Sequence, residues 1–567
     1  MRGYAMARKD NLPNGAEAFV RLLELHGVEH VFGLCGDTSL PLYDALYRLD
    51  HGITHILCRD ERSAAYMADV YARLTGRVGV CEGPSGGGVT YMLPGITEAH
   101  ESSVALLAVT SDIAVSSRDR QALTALDQES LMRPVTKWNR VIESSHRVPL
   151  IVRNAFARLG TGSPGAVHLG LPVDVQSGPV DQAEIWGEAE LGRFPARRTG
   201  PGPKAVAAAA AALSSAERPL LLAGGGPLFA AAEAELRELA ERLGAPVATT
   251  VSGHGVLPDD HPLALGVTGS NGGVPEVREV VLAADLVVFV GCRAGSVTTE
   301  KWRLPEPRQR IVHIDADPAV IGINYRTEAA LVGDAKLALA ALLDELPSAP
   351  RKGWGAAAVA AAKAQKFARF ERLASDEVPI RPERLIAELQ AVLPGDAVIV
   401  ADPGTPTPFL SAYYRLDRAG RHLVFNRAHG ALGYALPGVV GAYFARPDKV
   451  CVGIMGDGGF GFASGELETI ARLALPVVLV VVNNATFGWI KAGQHHGYEG
   501  RYQSVDFSPG DHAAVAAAYG FETWRVEDPD KLGAALGSAV ACQRPALVDV
   551  VCQPLHETEA PVSEWIA

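Results

Sequence analysis

The run CVGIMGDGGFGFASGELETIARLALPVVLVVVNN (451–484) concentrates residue types that handle anions and hard cations. Its patterning predicts a strand, a turn at Gly456-Asp457-Gly458, a helix, and a second strand ending in Asn483-Asn484. Asp457 then stands at the carboxyl end of a parallel strand, where open α/β sheets bind ligands. Asn483 and Asn484 reach the same edge. A carboxylate and an amide carbonyl are hard oxygen ligands, suited to Mg²⁺ holding a diphosphate. Gly458 and Gly459 let a phosphate approach the backbone. Gly-Asp-Gly alone is a common surface turn. The specificity comes from the spacing, since 24 residues (459 to 482) separate it from Asn-Asn.

Other candidates are weaker. Glu61, in RDERSAAY, reads by itself as a solvated charge at a helix start. Gly83-Pro84-Ser85-Gly86-Gly87 fits the GxSxG nucleophile elbow and follows a strand, but no ordered Asp and His partners can be named. His495-His496 reads as a solvated loop pair, because adjacent side chains do not share a helix face. Gly224-Gly225-Gly226 is too short for a dinucleotide fingerprint.

The elements that position these residues follow from the whole chain. Its 567 residues suggest three or four domains. Hydrophobic residues are 48% and charged residues 20%, which excludes disorder as the main state. The net charge, 52 − 64 = −12, argues against a nucleic-acid partner. Seven widely spaced cysteines without a CxxC indicate neither a disulfide framework nor a zinc site. The N-terminal MRGYAMARKDNLPNG has no apolar core, and the uncharged run Gly430 to Ala445, broken by Pro437, falls short of the ~20 residues of a membrane span. A soluble, cytoplasmic protein without a membrane partner is expected.

Apolar runs of strand length (HVFGL, VALLAVT, DLVVFVG, VVLVVVNN) alternate with helical stretches such as Ala16 to His26, Ala64 to Leu74, Ala230 to Leu243 and Ala513 to Tyr519. This rhythm predicts an α/β protein with buried parallel strands. Pro/Gly-rich breaks at 192–203 and from 347 divide it into three similar-sized doubly wound domains near 1–190, 200–345 and 380–567.

The GDG-to-NN arrangement resembles the diphosphate- and metal-binding motif of thiamine-diphosphate enzymes. The resemblance extends over nearly the whole chain and is closest to the acetolactate synthase, benzoylformate decarboxylase and oxalyl-CoA decarboxylase family. GVEHVFGLCGDTSLPLYDAL and CRDERSAAYMADVYARLTGRVGV are similar to its pyrimidine domain, IVHIDADPAVIG to its central Rossmann-like domain, and HGALGYALPG to the loop that holds the cofactor bent. The resemblance implies thiamine diphosphate and Mg²⁺, with Asp457, the Asn484 side chain and the Thr486 carbonyl as metal ligands. It makes Glu61 the catalytic carboxyl against the pyrimidine. It places Leu432 as the wedge between the cofactor rings and the Gly430 carbonyl on the amino group. Thr405, Gly456, Gly458, Gly459, Phe487 and Gly488 join the cofactor site, and Gly36, Leu123, Thr124 and Trp489 the substrate pocket.

The implied activity is decarboxylation of a 2-oxo acid through a C2 carbanion, with enamine transfer to a second carbonyl. The sequence also departs from known members. Leu123-Thr124 replaces a Phe-Gln pair of the synthases, and Tyr91 an Asn. Ser103 stands where benzoylformate decarboxylase would use a His. Trp489-Ile490-Lys491 replaces Met-rich residues. A thiamine-diphosphate-dependent C–C hydrolase or lyase acting on a diketone or an acyl-CoA is therefore the alternative, and a non-catalytic paralogue a third. FAD in the central domain stays open, since Arg293 in GCRAG matches a flavin-contacting arginine while the synthase GMHG turn reads GVTGSNGG. In this family the pyrimidine domain of one subunit faces the diphosphate domain of another, which implies at least a homodimer and points to a homotetramer.

Overall fold

Uninterrupted apolar runs such as LVVFV and VLVVVN are strands buried on both faces, as parallel sheets covered by helices require. In the computed structural model, which describes residues 12–565, these runs form three six-stranded sheets with every pairing parallel. The first contains β1 (His30–Gly33), β2 (Thr54–Leu57), β3 (Gly79–Gly83), β4 (Leu106–Asp112), β5 (Trp138–Val141) and β6 (Val167–Pro172), in the order β2-β1-β3-β4-β6-β5. The second contains β7 (Pro219–Ala223), β8 (Val247–Thr249), β9 (Ala264–Val267), β10 (Leu286–Val290), β11 (Arg310–Asp315) and β12 (Ala329–Val332), in the order β12-β11-β10-β7-β8-β9. The third contains β13 (Val398–Ala401), β14 (Leu423–Phe425), β15 (Cys451–Gly456), β16 (Val478–Asn483), β17 (Glu522–Val526) and β18 (Ala546–Val551). Its order, β14-β13-β15-β16-β18-β17, repeats that of the first sheet. In both, the strand order reverses between the first and third strands, which opens a crevice at their carboxyl ends.

The chain parts into two compact units between Arg197 and Arg198, inside the Pro/Gly/Arg-rich stretch. The first sheet belongs to one unit. The second and third sheets share the other, where one continuous apolar core runs from Leu220 to Leu555.

The four expected helices appear as Gly15–Leu25, Glu61–Thr75, Gly226–Ala230 with Glu233–Leu243, and His512–Ala518. In the first unit, Arg73 is buried between Asp69 (2.9 Å) and Glu98 (3.0 Å), ion pairs that offset the cost of burying its charge. The uncharged run after Gly430 supplies the helix Ala435–Ala445, which packs on β15. Among the described residues no helix is long and apolar enough to cross a membrane. The basic N-terminal segment, up to residue 11, lies outside the described residues. The seven cysteines are free, five of them buried.

Candidate functional site

Asp402 and Asp457 stand on the two sides of the crevice in the third sheet. Asp402 follows β13 and Asp457 follows β15, two strands that pair directly. Asp402 is fully buried, and its carboxylate accepts the N–H groups of Gly433 (2.9 Å), Tyr434 (2.7 Å) and Ala435 (2.6 Å). Burial pushes its pKa up to about 6 against the pull of those three amides. This clamp fixes the loop that carries Gly430 and Leu432. Asn426 closes the loop from the other side, donating to the Ala431 carbonyl (2.7 Å) and accepting from the Gly430 amide (3.2 Å). Gly430 and Gly433 have φ of +76° and +80°, a region that favours glycine.

The Asp457 carboxylate accepts from the amides of Gly458 (2.8 Å), Asn484 (3.0 Å) and Ala485 (2.5 Å). Burial raises its pKa, while these amides and His512 lower it. The turn after β16 thus wraps around Asp457, with Ala485 itself left-handed at φ +54°. The two asparagines separate by the alternation of the strand. Asn483 turns inward and donates to Asp549 (3.0 Å) and to the Gly510 carbonyl (3.0 Å). Asn484 faces a cavity.

That cavity, of about 430 Å³, is lined by Thr405, Gly430, Leu432, Gly456, Asp457, Gly458, Gly459, Asn484, Thr486, Phe487, Gly488 and Trp489. Every cofactor-site residue expected from the sequence in this part of the chain reaches it. A side chain on Gly488 would come within 3.0 Å of the Thr405 hydroxyl and 3.5 Å of the Asn484 amide. The helix Gly488–Gly497 therefore opens where both polar groups converge, a setting suited to an anion. At Gly404 and Gly430 no atom lies within 4 Å of where a Cβ would stand, so the wall leaves room for a bound group. The donors beside it (one carboxylate, one amide and the Thr486 carbonyl) suit Mg²⁺ better than zinc. Among the described residues no cluster of three or more His, Cys, Asp or Glu could hold a metal. Trp489 packs on Trp565 at 5.3 Å between ring centroids.

In the first unit, Glu61 opens the helix Glu61–Thr75, with Asp60 capping it (2.7 Å to the Arg62 amide). Glu61 is 7% exposed. Its side chain lies over the glycine-rich turn, since a Cβ on Gly83 would meet its Cγ at 3.1 Å and one on Gly88 its Oε1 at 3.0 Å. Burial raises its pKa, and the charges of Asp60 and Glu82 push the same way. Gly36 packs on Pro84, which a Cβ would strike at 2.4 Å. Thr124, at φ +65°, joins its hydroxyl to Ser85 (2.7 Å). Ser85 continues to Thr38 (3.0 Å) and Thr38 to Ser111 (2.7 Å). The hydroxyls form a row along the carboxyl edge of the sheet. Leu123 is 89% exposed.

Several weaker candidates resolve. The partners of Ser85 Oγ are hydroxyls rather than a histidine, so the GxSxG match supplies no nucleophile. Ser103 precedes β4 and meets Ser163 (3.3 Å), at the amino edge of the sheet and opposite Glu61; it does not replace a histidine of the site. His495 and His496 are exposed but belong to the helix Gly488–Gly497 rather than a loop. His495 bonds Tyr502 (2.7 Å), and His496 stacks on Trp565. Gly224 and Gly226 press on Gly291, where Cβ atoms would approach to 2.0 and 2.6 Å, so close packing accounts for them.

Sequence reasoning missed Asp402 and Asn426. Asp402 opens DPGTPTP directly after a strand, the same signal that marks Asp457.

Residues 13–131, 206–342 and 402–550 match three families, described as the N-terminal TPP binding domain, the central domain and the C-terminal TPP binding domain of thiamine pyrophosphate enzymes. The chain is 34% identical over 561 residues to a probable acetolactate synthase large subunit of Methanococcus aeolicus, covering 95% of this chain and 92% of that protein. It is 32% identical to an acetolactate synthase of Arthrospira platensis (94% and 93% covered). It is 31% identical to the acetolactate synthase isozyme 3 large subunit of Escherichia coli (93% and 92%).

Proposed function

The chain belongs to the thiamine-diphosphate enzyme family, and from that premise we propose that it is an acetolactate-synthase-like decarboxylase and carboligase. It would remove CO₂ from a 2-oxo acid and join the remaining acyl unit to a second carbonyl. The observation that carries this reading is the convergence of Thr405, Gly430, Leu432, Asp457, Asn484 and Thr486 on one cavity.

Bound there, thiamine diphosphate supplies the electron sink for breaking the bond to the carboxylate. Asp457, the Asn484 side-chain oxygen and the Thr486 carbonyl hold Mg²⁺, which offsets the diphosphate charge. Thr405 and the first amides of the helix Gly488–Gly497 bind diphosphate oxygens. Leu432 separates the two rings, and the Gly430 carbonyl accepts from the amino group. Glu61 shares a proton with the pyrimidine nitrogen, a role its burial suits. Gly36, Leu123, Thr124 and Trp489 would contribute to substrate binding. The reaction transfers no electrons to an acceptor, so FAD in the central domain would serve structure rather than redox. Glu61 of one copy serves the cofactor held by Asp457 of another, which makes a homodimer the minimum assembly and a homotetramer the expected one.

The test is to load the protein with thiamine diphosphate and Mg²⁺ and supply pyruvate and a panel of other 2-oxo acids. CO₂ release with formation of an acyloin or an acetohydroxy acid supports the reading; neither product from any substrate sinks it. The row of hydroxyls from Ser111 to Thr124 favours one second reading, in which it holds water for C–C hydrolysis of a diketone or an acyl-CoA. Cleavage of a diketone in the absence of any 2-oxo acid distinguishes that reaction.

A further inference from the structure

A second cavity lies away from the cofactor site, within the unit that contains the second and third sheets. The helix Gly355–Leu373 supplies Lys363 and Lys366 to it, the helix Pro406–Tyr413 supplies Ser411, and the segment after β8 supplies His254 and Asp259. Its volume is about 10 Å³, close to what a single water needs. Lys366 is 7% exposed. Burial pushes its pKa down to about 8, against the pull of Asp259, so it keeps its charge at neutral pH. Yet among the described residues its ammonium meets neither a carboxylate nor a hydrogen-bond acceptor. Its near neighbours are the Phe367 ring, 5.0 Å to the centroid, and Gly266, where a Cβ would stand at 3.4 Å.

The neighbouring charges are engaged elsewhere. The Asp259 carboxylate accepts from His254 Nε2 (2.9 Å) and from the Leu416 amide (2.7 Å). Lys363 donates to the carbonyls of Asp259 (2.5 Å) and His261 (3.2 Å). Glu276 pairs with Arg369 (3.1 Å). Arg415, stacked over Phe367, adds a third cation to the cavity wall, against the one carboxylate of Asp259. Ser411 Oγ, in a residue 1% exposed, and His254 Nδ1 are buried without a partner. A water bridging these two atoms would leave the ammonium uncancelled, and a buried unpaired charge is costly. An anion accepts from both the ammonium and the Ser411 hydroxyl and supplies the missing charge. We propose that this cavity binds one small monovalent anion, a halide such as chloride, between Lys366 and Ser411, pinning the helix Gly355–Leu373 to the helix Pro406–Tyr413. The site stands apart from the reaction proposed above and does not rest on it.

The experiment uses the full chain loaded with thiamine diphosphate and Mg²⁺ and dialysed free of halide. Its melting temperature in sodium chloride should exceed that in sodium gluconate of equal ionic strength by about 2 °C, because only the smaller anion fits and a bound ligand favours the folded state. Lys366→Met removes the charge and should abolish the difference. In gluconate this variant should melt no lower than wild type, since the uncompensated ammonium is gone. Ser411→Ala keeps the charge and should weaken chloride binding about tenfold, read from the chloride dependence of the melt. Crystals soaked in sodium bromide should show an anomalous peak within hydrogen-bond reach of Lys366 Nζ and Ser411 Oγ. If Lys366→Met does not fold, Ser411→Ala and the bromide crystal carry the test. The inference is overturned by equal melting of the wild type in the two salts, by a chloride effect that persists in Lys366→Met, or by bromide-soaked crystals that hold only water in this cavity.

Discussion

The Asp402 carboxylate meets the Ala435 amide at 2.6 Å, tying the end of β13 to the first turn of the helix Ala435–Ala445. Tyr434 and Gly433 donate to the same group, so one buried carboxylate holds three consecutive amides. A Cβ on Gly459 would come within 2.1 Å of Asp402 Oδ2, so the start of the helix Asp457–Ala463 packs closely against the same carboxylate. Asp402→Ala leaves buried amides without an acceptor. It should cost on the order of 3 kcal/mol in chemical denaturation and weaken thiamine diphosphate binding, although Asp402 itself does not line the cavity.

Asp402 also predicts a pH slope. Burial pushes its pKa up to about 6, against about 3.9 in an unfolded chain. Between these values the folded protein keeps a proton that the unfolded chain has released. The stability contributed by this group is therefore full below roughly pH 4 and lost as pH rises through about 6. Two pH units correspond to about 3 kcal/mol. Asp402→Asn should remove this slope. Urea unfolding of both proteins at about pH 4.5 and pH 6.5 checks it, and identical slopes would refute it.

The two asparagines after β16 should fail differently. Asn484→Ala should lower Mg²⁺-dependent thiamine diphosphate affinity by about tenfold or more, with the melting temperature little changed. Asn483→Ala removes the donor to Asp549 and should instead lower the melting temperature. Asp457→Ala should lose the cofactor altogether. Calorimetry and thermal melts on the same samples separate the three, and equal effects from Asn483→Ala and Asn484→Ala would contradict the assignment.

Glu61→Gln keeps the shape of the side chain and removes its acidity. Turnover should fall by about 10²- to 10⁴-fold, while calorimetry still detects bound cofactor. Unchanged turnover would remove Glu61 from the mechanism.

Ser85→Ala distinguishes a hydroxyl row from a nucleophile. The Ser85 hydroxyl lies between Thr38 and Thr124, so turnover should stay within about tenfold of wild type. A loss of ~10⁴-fold or more, the scale of removing a nucleophile, would reinstate the hydrolase.

The alternation of apolar runs and helical stretches made the α/β class legible, because strand and helix periods are local properties. Asp457 and Asn484 were legible for the same reason: both stand at strand ends in one strand-helix-strand segment, and such ends share an edge. Glu61 was found only through resemblance, since its burial depends on Gly83 and Gly88 from another strand and turn. Asp402 holds amides 31 to 33 residues away, and Asn483 was separable from Asn484 only once Asp549, 66 residues on, had closed over it. Lys366 and Ser411 line one cavity because their helices are brought together in the unit that contains the second and third sheets. Local pattern determined which residues end strands. Sheet order and core packing decided which of those ends meet, because burying a polar group requires a partner that only the folded chain brings within reach.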